Sequence, residues 1–217
     1  VDGIRLNNST FRSGPNQYWS TVDLYAVEAI ELVRGPGSVL YGSDAVGGTV
    51  NAIARRRREF EPGTHGSVRG VLRASEAERS FTERVEGHGN RDGLGVFAGA
   101  TFRDLGDLQA GSGGLPGTGY GETDADLRLD FTGASKTAWA LGIQHVRQRN
   151  VQRTETTRDA VPFHGTTAGT ERKRDLDQER DLVYLRAARK GLSATLSWHR
   201  QGEEQDRDRT GGRTDVS

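Results

Sequence analysis

The stretch GSVLYGSD at residues 37–44 is the first place where the chain could bind a ligand. Its two glycines have the spacing of a phosphate-binding loop. Such a loop also needs a lysine that reaches the phosphates, and this stretch has none. We therefore exclude nucleotide binding at this position.

A basic run, RRRR at residues 55–58, has a composition that could favour nucleic acid. The chain as a whole has 30 basic and 30 acidic side chains, whereas nucleic-acid binders are usually basic. The linker-like sequence EFEPGTHG follows the run. We interpret the arginines as a solvated or lipid-headgroup contact, and we predict no nucleic-acid partner.

The remaining polar residues indicate neither catalysis nor a metal site. The chain has no cysteine, and the spacing of its five histidines does not resemble a metal site. His145 and His164 flank or occupy a predicted long loop. None of the carboxylates lies on the apolar background that a glycosidase pair needs. We predict no catalytic residue, no metal site, no cofactor and no enzyme activity.

In most segments after about residue 66, apolar and polar residues alternate with a period of two. This alternation is typical of β-strands. In 123–131, Leu127, Leu129 and Phe131 share one face with Ala125, while Arg128 and three aspartates share the other. Seven such strands are predicted, at 67–75, 81–89, 94–103, 123–131, 139–146, 182–188 and 192–200. The apolar face carries aromatics and the opposite face carries charges and glycines, which is the pattern of a transmembrane β-barrel strand.

The connections support a barrel in a membrane. Short turns are predicted at 90–93, 133–136 and 189–191, and they strictly alternate with long loops at 104–122 and 147–180. Transmembrane barrels place short turns on the periplasmic side and long loops outside. Only 33% of residues are hydrophobic, and no run approaches the about 20 apolar residues of a membrane-spanning helix. An α-helical membrane protein is therefore excluded.

Seven strands cannot close a barrel, and hydrocarbon does not tolerate unpaired strand edges. The chain also lacks methionine, so Val1 is not a translation start. We therefore expect this sequence to be the interior of a longer protein.

Residues 28–55 predict a compact hairpin. A buried strand at Ala29–Val33 is followed by the turn Gly35-Pro36-Gly37. Ser38 is expected to cap a helical turn through Leu40–Ala45, and Gly47-Gly48 to end it. A second strand is predicted at Thr49–Ala54.

The string RGPGSVLYGSDAVGGTVN within this hairpin resembles the plug-domain motif of TonB-dependent outer-membrane receptors. VDGIRLNN at 1–8 is similar to an upstream strand and turn of that family, and Ile30-Glu31-Leu32-Val33 to the strand before the motif. Ala52 and Ala54 replace bulkier residues, and Leu24 stands where proline is frequent, which we expect to loosen packing locally.

The resemblance implies an antiparallel, up-and-down membrane β-barrel of about 22 strands, about seven of them here, filled by an N-terminal α/β plug domain. The implied divisions are 1–58 for the C-terminal part of the plug, 59–66 for a linker and 67–217 for the first barrel strands. The location is the outer membrane of a Gram-negative cell. The implied partners are outer-membrane lipids, a small-molecule metal chelate, and the TonB–ExbB–ExbD complex through a segment that this chain lacks.

The family resemblance also indicates site residues. The loop 7–21 would lie at the extracellular apex and contact ligand through aromatic, cationic and amide side chains. These candidates are Asn8, Phe11, Arg12, Asn16, Gln17, Tyr18 and Trp19. Glu31 and Arg34 would lock the plug to the barrel wall. The candidate partners on the lumen side are Glu83, Glu86, Asp124, Asp126 and Asp130, and a pair within the plug is the alternative.

The function implied is TonB-dependent active transport of a scarce ligand by capture at the apex and energised plug rearrangement. An iron–siderophore is the first choice. The alternatives are a haem or cobalamin receptor, an outer-membrane receptor that binds or signals without transport, and a soluble β-sandwich enzyme.

Overall fold

The computed structural model describes residues 1–6, 18–43, 45–56, 63–111, 113–133, 135–152, 169–209 and 214–216. The alternating segments form one antiparallel sheet of eight strands. Its strands are β3 (His65–Ser75), β4 (Ser80–Arg91), β5 (Leu94–Leu105), β8 (Tyr120–Thr132), β9 (Ala138–Gln152), β10 (Glu171–Arg189), β11 (Leu192–Arg209) and the short β12 (Thr214–Val216). Their order across the sheet is β12-β11-β10-β9-β8-β5-β4-β3. All seven predicted barrel strands are confirmed, and the sheet is open.

The two faces of the sheet have the predicted, inverted character. Arg84 is 1% exposed, whereas its neighbour Val85, on the other face of β4, is 62% exposed. The same alternation buries Asp124 and Arg128 on β8 and leaves Phe131 exposed. Polar side chains therefore line the inner face, and apolar side chains line the outer face, as in a barrel that contacts lipid.

Tight turns join the strands at one end of the sheet, which we call the turn end. Asp92 and Gly93 both have positive φ, of 47° and 83°, and Lys190 and Gly191 have 48° and 80°. Two consecutive positive φ values are those of the type I′ turn, whose twist matches that of the flanking strands. The turns predicted at 90–93 and 189–191 are confirmed.

The opposite end, the loop end, corrects two predictions about the connections. The loop predicted at 147–180 is shorter, because β9 continues to Gln152 and β10 begins at Glu171. The hydrogen-bonded ladder does not need apolar side chains, so the strands extend past the apolar band. The β3–β4 connection, residues 76–79, is a tight turn at the loop end, so the strict alternation of short and long connections is wrong there.

The predicted plug hairpin is present as β1 (Val27–Arg34) paired antiparallel with β2 (Gly48–Ala54). Its helix, α1, is Ser38–Tyr41 rather than Leu40–Ala45. Gly37 takes the N-cap position that we predicted for Ser38, and Gly42, with a φ of 92°, ends the helix before Gly47-Gly48. None of the described helices is long and apolar enough to cross a membrane.

The hairpin packs against the described strands through residues of β2. Ile30 and Leu32 are exposed beside this open sheet, so the described strands do not bury the segment Ala29–Val33. Ala52 is fully buried in a small apolar cluster, and Ala54 is also buried. Both alanines are therefore buried, and the expected loosening of the packing stays a prediction. The cluster consists of Val1, Val22, Ala52, Leu182 and Tyr184.

The side chains of Asp107 and Thr118 hold the connection between β5 and β8 together. It contains the two-residue strands β6 (Gln109–Ala110) and β7 (Gly113–Gly114). The Asp107 Oδ1 accepts hydrogen bonds from the backbone N–H groups of Thr118, at 2.8 Å, and Gly119, at 2.9 Å. The N–H groups of Gly119 and Thr118 stabilise the carboxylate and lower the pKa of Asp107.

We expect this fastening to loosen in acid. Because the pKa of Asp107 is lower in the folded loop, its contribution is complete above the ordinary Asp value of about 4 and is lost as pH falls through the lower, folded value. A nitroxide on Gly111→Cys in the full-length protein should become more mobile over that range. Asp107→Asn should make the mobility independent of pH. If the mobility of the nitroxide does not change with pH while Asp107 is present, the proposed role of Asp107 is contradicted.

Candidate functional site

The contact between the plug residues and the inner face of the sheet is built around buried aspartates. Asp23 lies between two 3-10 turns, Tyr18–Thr21 and Leu24–Ala26, and its Oδ1 accepts from the Tyr25 N–H at 3.0 Å. This local cap explains why the chain turns here. The turn leaves the second carboxylate oxygen facing the barrel wall.

The Asp23 carboxylate binds two strands of the wall. Its Oδ2 accepts from Thr101 Oγ1 at 2.7 Å and from Arg84 Nη1 at 3.1 Å. Arg103 Nη2 donates to Oδ1. A plug carboxylate thus meets one hydroxyl and two guanidinium groups, and charge-assisted bonds of this kind are the stronger class of hydrogen bond.

Arg84 is the centre of the wall's contribution. Its Nε donates to Glu86 Oε2 at 2.8 Å, and its Nη1 lies 2.9 Å from Asp126 Oδ1. Gly99 on the adjacent strand makes room for the guanidinium, because a Cβ at that position would overlap it. The buried arginine is therefore neutralised by carboxylates from both the plug and the wall.

Arg103 forms a second cationic centre nearer the loop end. Its Nη1 donates to Asp124 Oδ2 at 3.0 Å and also contacts Glu122. The guanidinium carbon lies 5.4 Å from the centroid of the Tyr25 ring, within cation–π range. Arg103 therefore joins the same plug turn from the other side of Asp23.

Asp2 provides the second plug carboxylate. Its Oδ1 accepts from the Ala54 N–H at 3.0 Å, so it also ties the N-terminal segment to β2. Its Oδ2 accepts from the Tyr184 hydroxyl at 2.6 Å and from Arg128 Nη1 at 3.3 Å. Arg186 contacts the Asp2 carbonyl oxygen. Gly142 leaves the space that the Tyr184 ring occupies.

Side chains of the wall also bind the plug backbone. Gln148 Nε2 donates to the Ser20 carbonyl at 2.8 Å, and Arg180 Nε donates to the Thr21 carbonyl at 2.9 Å. At the end of the plug hairpin, Arg55 Nη1 bonds to Glu86 Oε1 at 3.2 Å. The segment 18–26 is therefore fixed in position by main-chain as well as side-chain contacts.

This arrangement is suited to a contact that holds the plug and can be released, and within the described residues of the contact no nucleophile or acid–base pair is aimed at a substrate. Burying a charge costs several kcal/mol per ion, and the partner charges and hydrogen bonds offset most of that cost. Removing one partner leaves the others uncompensated. The interface therefore fixes the position of the plug relative to the strands. Water can still replace each of its polar bonds when the plug is displaced.

The predicted site residues fall in different places. Asn8, Phe11, Arg12, Asn16 and Gln17 lie outside the described residues. Tyr18 and Trp19 begin the 3-10 turn beside β9, and Trp19 is 40% exposed. The binding roles of all seven stay predictions.

Glu31 and Arg34 also keep their role as a prediction. Glu31 Oε2 accepts from Asn51 Nδ2 at 3.1 Å, within the hairpin, and Arg34 is exposed at the end of β1. One of the five wall residues that we predicted as partners of Glu31 and Arg34 is on the wrong face of the sheet. Glu83 faces outward with Phe81 and Val85, because it lies in phase with the apolar residues of β4. The other four candidates lie on the inner face, and their described salt bridges join arginines 55, 69, 84, 103 and 128.

Sequence reasoning missed Asp2 and Asp23 as plug–wall contacts. Asp2 lies within the string VDGIRLNN and Asp23 directly precedes Leu24, but the arginines that their carboxylates meet come from 61 to 126 residues away in sequence. The inner-face arginines were identifiable from the period of two. Which arginine meets which plug acid depends on how the two parts dock.

The predicted position of His145 is also wrong. It lies within β9 on the outward face, not at a loop, and its Nδ1 is 2.7 Å from Asp181 Oδ1. His164 is outside the described residues. With Glu179, His145 and Asp181 bring potential ligand atoms within 4.8 Å of one another, which the sequence spacing did not indicate.

Because Asp23 pairs with buried arginines, we expect its substitution to weaken the contact between plug and barrel strongly. Asp23→Asn should lower the free energy that holds the plug in the barrel by about 3 kcal/mol, because Arg84 and Arg103 lose a buried counter-charge. We would measure the urea dependence of proteolysis within residues 1–54 of the full-length protein. Asp92→Asn, on the surface of a turn, is the matched control and should change it by less than about 0.5 kcal/mol. Equal urea midpoints for the two variants would contradict the proposed role of Asp23.

Comparison with known proteins agrees with this architecture. Residues 1–49 match the family model described as TonB-dependent Receptor Plug Domain. The Iron-regulated outer membrane virulence proteins of two strains of Vibrio cholerae serotype O1 are each 37% identical over 121 residues, which is 52% of this chain and 18% of the relative. The chain thus spans about a fifth of the length of these relatives.

A solved structure shares the fold. The crystal structure of the ferric enterobactin receptor in complex with BCV-L6 aligns over 100% of this chain and 35% of its own, with a TM-score of 0.56 and 19% identity. The relatives are named as outer membrane proteins, and the plug domain is a component of outer-membrane receptors, so the outer membrane is the location of this chain. The plug-domain match, the inverted strands and the relatives together identify residues 1–49 as similar to the plug domain of TonB-dependent receptors, followed by part of an outer-membrane β-barrel sheet.

Proposed function

We propose that the protein to which this chain belongs imports an iron–siderophore across the outer membrane, by capture at the loop end and TonB-coupled rearrangement of the plug. The observation that carries this proposal is the polar contact between plug and wall, centred on Asp23, Arg84 and Arg103. A plug that only sealed a pore would be held better by apolar packing. A plug that must move benefits from bonds that water can replace.

The balance of contacts supports a movable plug. The apolar cluster between plug and wall is small, whereas Asp2 and Asp23 each bind at least two charged or hydroxyl groups of the wall. Ion pairs depend steeply on register, so a small displacement of segment 18–26 would break several bonds together. Such an interface can hold the plug in place in the absence of force and release it when a force displaces the plug.

The choice of ligand rests on the relatives. Two of them are named iron-regulated, and they are 37% identical to this chain over 121 residues. Iron limitation requires a high-affinity carrier for ferric ion, which suits a siderophore receptor. Haem and cobalamin are the alternatives within the same family, and a receptor without transport is the third. The coupling partner in the proposal is the TonB–ExbB–ExbD complex.

The ligand would meet the plug at segment 7–21. The Ser20 carbonyl binds Gln148, which lies toward the loop end of β9, so Trp19 is also near that end. In transmembrane barrels the longer loops are extracellular. We therefore assign ligand contact to Asn8, Phe11, Arg12, Asn16, Gln17, Tyr18 and Trp19.

The division of the chain follows the same scheme. Residues 1–58 would be plug, 59–66 linker and 67–217 barrel. Strand β3 already begins at His65, two residues before the proposed barrel boundary. The Arg55 N–H bonds to the Ala26 carbonyl at 2.8 Å, so Arg55 belongs structurally with the plug hairpin.

A complementation experiment tests the function. A strain that lacks the receptor, carrying the full-length gene, should grow when a ferric siderophore is the only iron source, and growth should require TonB. Growth on haem or dependence on cobalamin uptake instead would assign one of the alternative ligands. Binding without TonB-dependent uptake would indicate a receptor that does not transport.

The same strain tests the apex residues. Trp19→Ala should weaken ferric-siderophore binding about tenfold, equivalent to about 1.4 kcal/mol, without loss of the protein from the membrane. Trp139→Ala is the matched control, because Trp139 is 43% exposed but lies on the outward face of the barrel. Equal affinities in the two variants would remove Trp19 from the ligand site.

A further inference from the structure

A groove lies on the outward face of the sheet, away from the plug, near the loop end. It has a volume of about 280 Å³. Phe81 and Phe102 form one wall, and Arg147 and Arg149 form the other. Strand β8 forms the floor, where Gly121 and Thr123 are small enough to leave the depression open.

The strand registers fix this arrangement. One row across the sheet reads Glu83, Phe102, Thr123 and Arg147, and the next row reads Phe81, Asp104, Gly121 and Arg149. All these positions are in phase with the exposed apolar residues of their strands. The four strands are interior to the sheet, so the groove does not depend on its open edges.

The groove opens onto the lipid-facing band. The next row toward the turn end is Val85, Ala100, Ala125 and His145. Ala100 and Ala125 continue the shallow floor below Thr123. The arginines and phenylalanines of the groove therefore lie nearer the loop end than these alanines. Such an order is typical of the membrane interface, where lipid head groups meet hydrocarbon.

The positive charge of the groove is confined to one wall. Arg147 and Arg149 are exposed and two residues apart on the same face, which separates them by about 7 Å along the strand. Glu179 faces Arg147 in the register, but its carboxylate lies within 4.8 Å of His145 and Asp181. Glu83 and Asp104 lie on the far side, so the groove suits one localised anionic group rather than an extended polyanion.

We propose that this groove binds a phosphate-bearing lipid of the outer leaflet. The phosphate would bind Arg147 and Arg149, whose planar guanidinium groups match phosphate oxygens in a two-pronged geometry. An acyl chain would lie against Phe102 and along Ala100 and Ala125 into the apolar band. The site is separate from the transport path, because it lies on the opposite face of the sheet from Asp23 and Arg84.

The test uses the full-length receptor, purified and freed of lipid in detergent, with lipid A carrying both phosphates as the probe. The double variant Arg147→Gln/Arg149→Gln should weaken binding about tenfold. The matched control is Arg91→Gln/Arg189→Gln, which removes the same charge from exposed arginines at the turn end. The control should bind within about twofold of the unmodified protein. Equal weakening in both double variants would overturn the site.

Two measurements on the unmodified receptor keep the proposal testable if a variant fails to fold. Lipid A stripped of both phosphates should bind at least about tenfold more weakly than the phosphorylated form. Inorganic phosphate at the same concentration should not displace the phosphorylated lipid. Equal binding of the stripped lipid, or displacement by inorganic phosphate, would overturn the assignment to a phosphate-bearing lipid.

Discussion

A carboxylate carried into the bore of a barrel must meet a cation there, because removing an unpaired charge from water costs several kcal/mol. Asp23 and Asp2 impose this requirement on the inner face of the sheet. Arg84, Arg103 and Arg128 satisfy it, each on a different strand and each also paired with an acid of the wall. The position of the plug, the register of its turns and the polar character of the bore all follow from these pairs.

The same constraint explains the inversion of the sheet. Because its inner face holds ions, its apolar residues must lie on the outer face, and only a nonpolar surrounding can cover them. A backbone in such a surrounding must pair all its hydrogen bonds between strands, which favours long, regular ladders. β10 and β11 accordingly pair from Glu171 and Arg209 to Arg189 and Leu192.

Much of this could be predicted from the period of the sequence. Alternation located every long strand, and Asp92-Gly93 located a tight turn, because both are local properties of the chain. Strand ends were missed at Gln152 and Glu171, since charged residues continue a ladder without an apolar signal. Docking contacts such as Asp23 with Arg84 were missed because they join distant segments, and the helix shifted to Ser38–Tyr41 because Gly42 adopts a positive φ.

Two glycines of the wall act as sockets for large inner side chains, Gly99 for the guanidinium of Arg84 and Gly142 for the ring of Tyr184. Each socket and its occupant form one steric unit across a pair of neighbouring strands. A methyl group at either glycine would force its occupant to shift, while a shortened occupant would leave a void. A substitution at Gly99 or Gly142 would therefore disturb the contact with the plug indirectly, because it displaces the side chain that binds Asp23 or Asp2.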